Sequence, residues 1–136
     1  MPRRILIDAG PLIALFDRDD ADHKWARDFL AGYRGRLVTS WAVVTEVVYM
    51  LDFNLQAQLD FLEWLHREAL VIPPLTKTHL TRVIELMQKY ADVPMDFADA
   101  TLMVLAESEK IVEILTLDPD FDIYRTQKGE ALKKVW

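Results

Sequence analysis

A chain of 136 residues, 51% hydrophobic and 28% charged, has the length and balance of one compact domain spanning 1–136, and no linker, repeat or low-complexity tract divides it. The absence of cysteine excludes a disulfide scaffold, thiolate metal sites and thiol catalysis, and it suits a reducing compartment. A net charge of −6 excludes a module that holds nucleic acid by a basic surface alone, so any such role needs local positive charge or a bound metal.

Residues 4–7 form a short apolar run stopped at once by Asp8, too short for the hydrophobic region of a signal peptide and suited to a buried parallel strand. The run 47–51 is equally short of a membrane span, so a cytoplasmic protein without membrane attachment is expected. After a loop at Asp8-Ala9-Gly10-Pro11, the pattern predicts a helix over 12–16, a charged loop over 17–20 and a helix over 21–31 stopped by Gly32. A second strand is predicted at 37–39. Ser40 is the expected N-cap of a helix over 41–51, with Val44, Val47, Val48 and Leu51 inward and Glu46 off that stripe. A helix from 54 or 55 to about 69 follows, with Leu55, Leu59, Leu62, Leu65 and Ala69 expected inward and Phe61 and Trp64 flanking.

Residues 70–72 are predicted as a third strand closed by Pro73-Pro74. Thr76 or Thr78 then caps a helix carrying Leu80, Val83, Ile84, Met87 and Tyr90. Beyond Pro94, Phe97, Ala100, Thr101, Val104 and Leu105 recur at helical spacing, and a last strand is predicted at 113–117. The tail, 123–125 and 131–136, offers an edge strand or an extension. Strands alternating with helices imply an α/β class, a three-layer α/β/α domain with a mostly parallel central sheet.

The acidic residues fall where such a sheet places its sites, beyond the carboxyl ends of its strands. Asp8 directly follows the first strand and Asp118 the last; Glu46 lies about two turns into the helix after the second. Asp96 and Asp99, three apart, open the helix that feeds the last strand. A capping box accounts for that pair on local grounds, and loop or surface positions account for the others singly. Together they need a counter-ion. Two carboxylates roughly 4 Å apart repel by about 4 kcal/mol at an effective dielectric of 20. With oxygen ligands and no cysteine, the matching cations are Mg²⁺ or Mn²⁺, and the matching chemistry is metal-assisted hydrolysis of a phosphodiester. Asp96 is then best assigned to the cap and Asp99 to the metal. His23, His66 and His79 are scattered over separate helices and are expected at surface or structural positions.

The motifs Ile5-Leu6-Ile7-Asp8-Ala9-Gly10-Pro11-Leu12-Ile13-Ala14-Leu15, Thr45-Glu46-Val47, Met95-Asp96-Phe97-Ala98-Asp99-Ala100 and Leu115-Thr116-Leu117-Asp118 resemble, in order and spacing, those of PIN-domain ribonucleases, especially VapC-type toxins of toxin–antitoxin pairs. The resemblance implies Asp8, Glu46, Asp99 and Asp118 as catalytic acids, with Asp8, Asp99 and Asp118 on the metal and Asp96 as an additional acidic position. It implies Thr116 as a hydroxyl near the metal and places Gly10 where Ser, Thr or Gly is usual. The tight spacing of Asp118-Pro119-Asp120-Phe121 makes Asp120 a competitor for the fourth role, with Asp118 favoured by its place at the strand end. The resemblance further implies Mg²⁺- or Mn²⁺-dependent RNA cleavage, a homodimer and a cognate antitoxin. Phe53, Phe61 and Trp64 offer apolar material for a dimer face. The alternatives are a non-catalytic acidic pocket that binds metal or a basic peptide, and an RNA-processing nuclease without an antitoxin. An aspartyl-nucleophile phosphatase fits poorly, because Gly10 stands where its second Asp would be.

Overall fold

The computed structural model describes residues 2–136. Its strands are β1 (Arg4–Ile7), β2 (Arg36–Val38), β3 (Glu113–Leu115) and β4 (Lys133–Lys134), all parallel in the order β2-β1-β3-β4. Leu6 of β1 lies opposite Val38 on one side and Ile114 on the other. Ile5, Leu6 and Ile7 are all fully buried, so both faces of β1 are covered, which explains an apolar run without alternation. The covering helices are α1 (Ala9–Phe16), α2 (His23–Gly32), α3 (Trp41–Met50), α4 (Leu55–His66), α5 (Leu80–Lys89) and α6 (Phe97–Glu109). Helix α1 packs on α2, α3 and α4; α5 packs on α6, and α3 meets α6. The result is the expected α/β architecture with helices on both faces of a parallel sheet. Among the described residues no helix is long and apolar enough to cross a membrane.

Side-chain caps set most helix starts. Ser40 Oγ accepts from Val43 N at 3.2 Å to open α3, as its position predicts, and Asn54 Oδ1 accepts from Ala57 N at 3.2 Å to open α4. Helix α1 begins earlier than the expected residue 12, because Asp8 Oδ1 accepts from Ala9 N at 2.8 Å and Pro11 falls in the first turn, where no N–H is needed.

Further expectations change or are narrowed, and the last strand, expected over 113–117, ends at Leu115. The predicted strand 70–72 shrinks to one parallel bridge of Val71 to Val38, since Pro73 and Pro74 end any ladder beyond it. The tail supplies β4 at the sheet edge. In α4 the inward face is Ala57 and Phe61, while Leu55, Leu59 and Leu62 are exposed. Both stripes of that helix have helical spacing, and the aromatic one wins the core: the Phe16 ring meets Phe61 at 5.5 Å and Trp64 at 5.4 Å, edge to face. Similarly, α5 buries Val83 and Leu86, with Tyr90 just beyond its end, and leaves Leu80, Ile84 and Met87 exposed.

Candidate metal centre

From β1 the chain crosses to β2 on one side, while β3 pairs with the other side of β1. The sheet order therefore reverses between β1 and β3, and the crevice beyond their carboxyl ends is where open α/β sheets bind ligands. Asp8 and Asp118 stand at that crevice. Asp8 N donates to Leu115 O at 3.1 Å, carrying the ladder one residue past β1. Beyond Leu115 the chain leaves the ladder, and Thr116, fully buried, ties the two sides together. Its hydroxyl donates to Asp8 Oδ2 at 2.9 Å and accepts from Asp118 N at 3.0 Å. Asp120 N in turn donates to Asp118 Oδ1 at 2.9 Å. On the other side, Thr39 Oγ1 donates to Ile7 O at 2.9 Å and holds the end of β2 against β1.

The start of α6 closes the crevice. Asp96 caps it, accepting from Asp99 N at 2.8 Å, and Asp99 Oδ2 reaches back to Asp96 N at a long 3.4 Å. The capping box and the placement of Asp99 at the site, set against each other on sequence grounds, are both present. Ser40 and Thr101 share a hydrogen bond of 2.8 Å that links the starts of α3 and α6. Asp8, Asp99 and Asp118 each offer one carboxylate oxygen, and these atoms all lie within 4.8 Å of one another.

The charges crowd without relief. Asp8 and Asp99 are 6% and 8% exposed, and among the described residues no ion pair involves Asp8, Glu46, Asp99 or Asp118. Burial first, then the charges of Asp96, Asp8 and Asp118, push the Asp99 carboxyl up to about 8. Burial also raises Asp8, against the opposing hydrogen bonds from Ala9 N and Thr116. Glu46, half-buried and outside the triad, is raised by burial and by the fields of Asp8, Asp96 and Asp118. An all-carboxylate donor set under this repulsion, with no basic side chain beside it, suits a hard divalent cation.

Of the residues singled out from sequence, the structure joins Asp8, Asp99 and Asp118 directly and keeps Glu46 and Asp96 within their field. Thr116, implied as a hydroxyl near the metal, touches Asp8. Asp120 contributes its amide to Asp118 and stands outside the triad. Gly10 is in the first turn of α1; the nearest atoms that a Cβ there would meet belong to Leu117, from 3.5 Å. His23 bonds Ala14 O, His79 bonds Thr76, and His66 faces Glu63, all in structural or surface settings. Phe61 is fully buried and Trp64 packs on Phe16, so of the three aromatics considered for a dimer face only Phe53 is exposed. Tyr124 was not legible from sequence. It is fully buried and its hydroxyl donates to Asp99 Oδ2 at 3.2 Å; burial, then the charges of Asp99 and Asp120, raise its pKa and keep it a donor. The only signal was a polar-tipped aromatic just after the last acidic loop.

Fold and site together define a class: a parallel α/β domain with a carboxylate centre at its topological switch point. The PIN domain family model matches residues 5–126, and the chain belongs to that family. The chain is 29% identical over 116 residues to Ribonuclease VapC26 of Mycobacterium tuberculosis, covering 84% of this chain and 86% of that protein. Its fold is similar to the crystal structure of VapC20 from the same species, a Sarcin-Ricin loop cleaving toxin, with a TM-score of 0.79, 21% identity and coverage of 88% and 93% of the two chains. It is also similar to VapBC2 from Rickettsia felis, solved bound to a DNA fragment from their promoter, with a TM-score of 0.64, 14% identity and 97% of each chain covered.

Proposed function

We propose that residues 1–136 form a single PIN nuclease domain that hydrolyses RNA phosphodiester bonds with Mg²⁺ or Mn²⁺ and acts as the toxin of a type II toxin–antitoxin pair. The observation that carries this is the convergence of Asp8, Asp99 and Asp118 with no ion pair to any of them among the described residues. These three hold the cation, and Thr116, Asp120 and Asp96 hold the three through hydrogen bonds. A divalent ion so placed supplies positive charge to the phosphoryl oxygens and makes an attacking water more acidic. Glu46, which feels the charges of Asp8, Asp96 and Asp118, is the residue we assign to accept a proton from the attacking water.

The ribonuclease relative supports the reaction class, and the VapBC2 complex supports a cognate antitoxin as partner. The exposed apolar side chains Tyr49, Met50, Phe53, Leu55 and Leu59 on α3, α4 and the turn between them supply surface that a homodimer or an antitoxin would cover. The protein is proposed to work in the cytoplasm, where its RNA substrate and a reducing environment coincide.

The test uses purified protein and a mixed RNA pool, with Mg²⁺, Mn²⁺ or EDTA. Cleavage is expected only with a divalent ion and is expected to be lost in Asp8→Asn and Asp118→Asn. At a hundred times its dissociation constant the ion should also stabilise the fold by about 2.7 kcal/mol. Cleavage that survives EDTA, or both substitutions, would sink the proposal.

A further inference from the structure

Tyr124 lies 25 residues beyond Asp99 and on no helix or strand, yet among the described residues its hydroxyl makes the one side-chain hydrogen bond that Asp99 receives from outside the start of α6. We infer that Tyr124 is a positioning residue for the metal centre: it holds Oδ2 of Asp99 so that the other oxygen is presented to the cation.

Three observations support this. Both donors to Asp99, the Tyr124 hydroxyl at 3.2 Å and Asp96 N at 3.4 Å, go to Oδ2, so Oδ1 carries no protein hydrogen bond and is the oxygen free for a cation. The phenol contact is the shorter of the two, and each lies just beyond the usual range for its type. The phenol ring is fully buried and meets both Tyr90 and Phe121 edge to face, each centroid 5.1 Å away. Its backbone N donates to Asp120 O at 3.3 Å, within the turn that also holds Asp118. One residue thus couples the spacing of two ligands carried on different elements. Groups that orient a ligating carboxylate typically change metal affinity 10–100-fold when removed.

This inference rests on the metal-site reading above. The experiment is a calorimetric titration of the purified, EDTA-treated protein with Mn²⁺. Tyr124→Phe is expected to bind roughly 10–100-fold more weakly than the wild type. The control is Tyr90→Phe, which deletes a neighbouring hydroxyl that accepts from Arg125 N at 2.9 Å and touches no carboxylate. It is expected to soften the same aromatic cluster while leaving Mn²⁺ affinity within about threefold. Replacing Tyr124 with 4-aminophenylalanine restores a donor and should restore affinity, a rescue that packing alone does not produce and that can be scored even if the Phe variant folds poorly. Wild-type affinity in Tyr124→Phe, equal losses in both Phe variants, or failure of the rescue overturns the inference while the metal site stands. A wild-type protein that takes up no Mn²⁺ overturns the metal reading and this inference with it.

Discussion

In metal-free protein, Asp99→Asn should stabilise the fold, and more so as pH rises. The Asp99 carboxyl titrates near 8 in the folded state against 3.8 for the ordinary group. Between those values the folded protein holds a proton that the unfolded chain has released, so stability is greatest at acid pH and falls as pH rises towards 8. One fully shifted group gives a slope of about 1.4 kcal/mol per pH unit, or roughly 4 kcal/mol between pH 4.5 and 7.5. Asp8 and Asp96 share the repulsion, so a gain of about 2–4 kcal/mol for the variant at pH 7.5 is the expected range. The asparagine oxygen can keep the hydrogen bond from Tyr124 while the charge is lost. Urea melts of both proteins in EDTA, at pH 4.5 and 7.5, measure the difference directly. The gap should nearly close at the lower pH, and Mg²⁺ should restore wild-type stability at the higher. A variant less stable than wild type at pH 7.5, or a gap independent of pH, would refute an electrostatically strained centre.

Two substitutions test the fold that presents it. Gly10→Ala should raise stability by about 0.4–1 kcal/mol in thermal melts, because the new methyl meets Leu117 at ordinary contact distance and the unfolded chain loses freedom; a loss would mean that the first turn of α1 tolerates no side chain. Phe61→Ala should cost about 3–5 kcal/mol in denaturant unfolding, as expected for a fully buried ring. A cost under about 1 kcal/mol would return α4 to the face first expected from its leucines.

How much of this was legible follows from where each signal lies. Asp8 was visible because it directly follows a short apolar strand, and Asp118 because it ends the apolar run 113–117, three residues past the end of β3; parallel topology brings those strand ends together. Ser40 and Asp96 were visible as caps, since capping is decided within four residues. The face of α4 was not, because its sequence carries two apolar stripes and only the position of Phe16, on a different helix, chooses between them. Tyr124 was hidden for the same reason: its hydroxyl matters through a residue 25 positions away. The extent of 70–72 was overcalled because a strand needs a partner along its whole length, and here Val71 alone finds one.

Residues Asp99 to Ala106 of α6 are buried without interruption, so two full turns of the helix touch neighbours on every side. A helix gripped all round can neither roll nor slide by a fraction of a turn without prising the core apart. The backbone at Asp99 therefore has no soft mode of its own, and its distance from Asp8 and Asp118 is set by packing several residues away, which leaves the carboxylate's own rotation to the hydrogen bond from Tyr124. Repacking at Leu102 or Leu105 should thus act like a change of ruler: it alters which ionic radius the three oxygens best accommodate before it alters whether the chain folds.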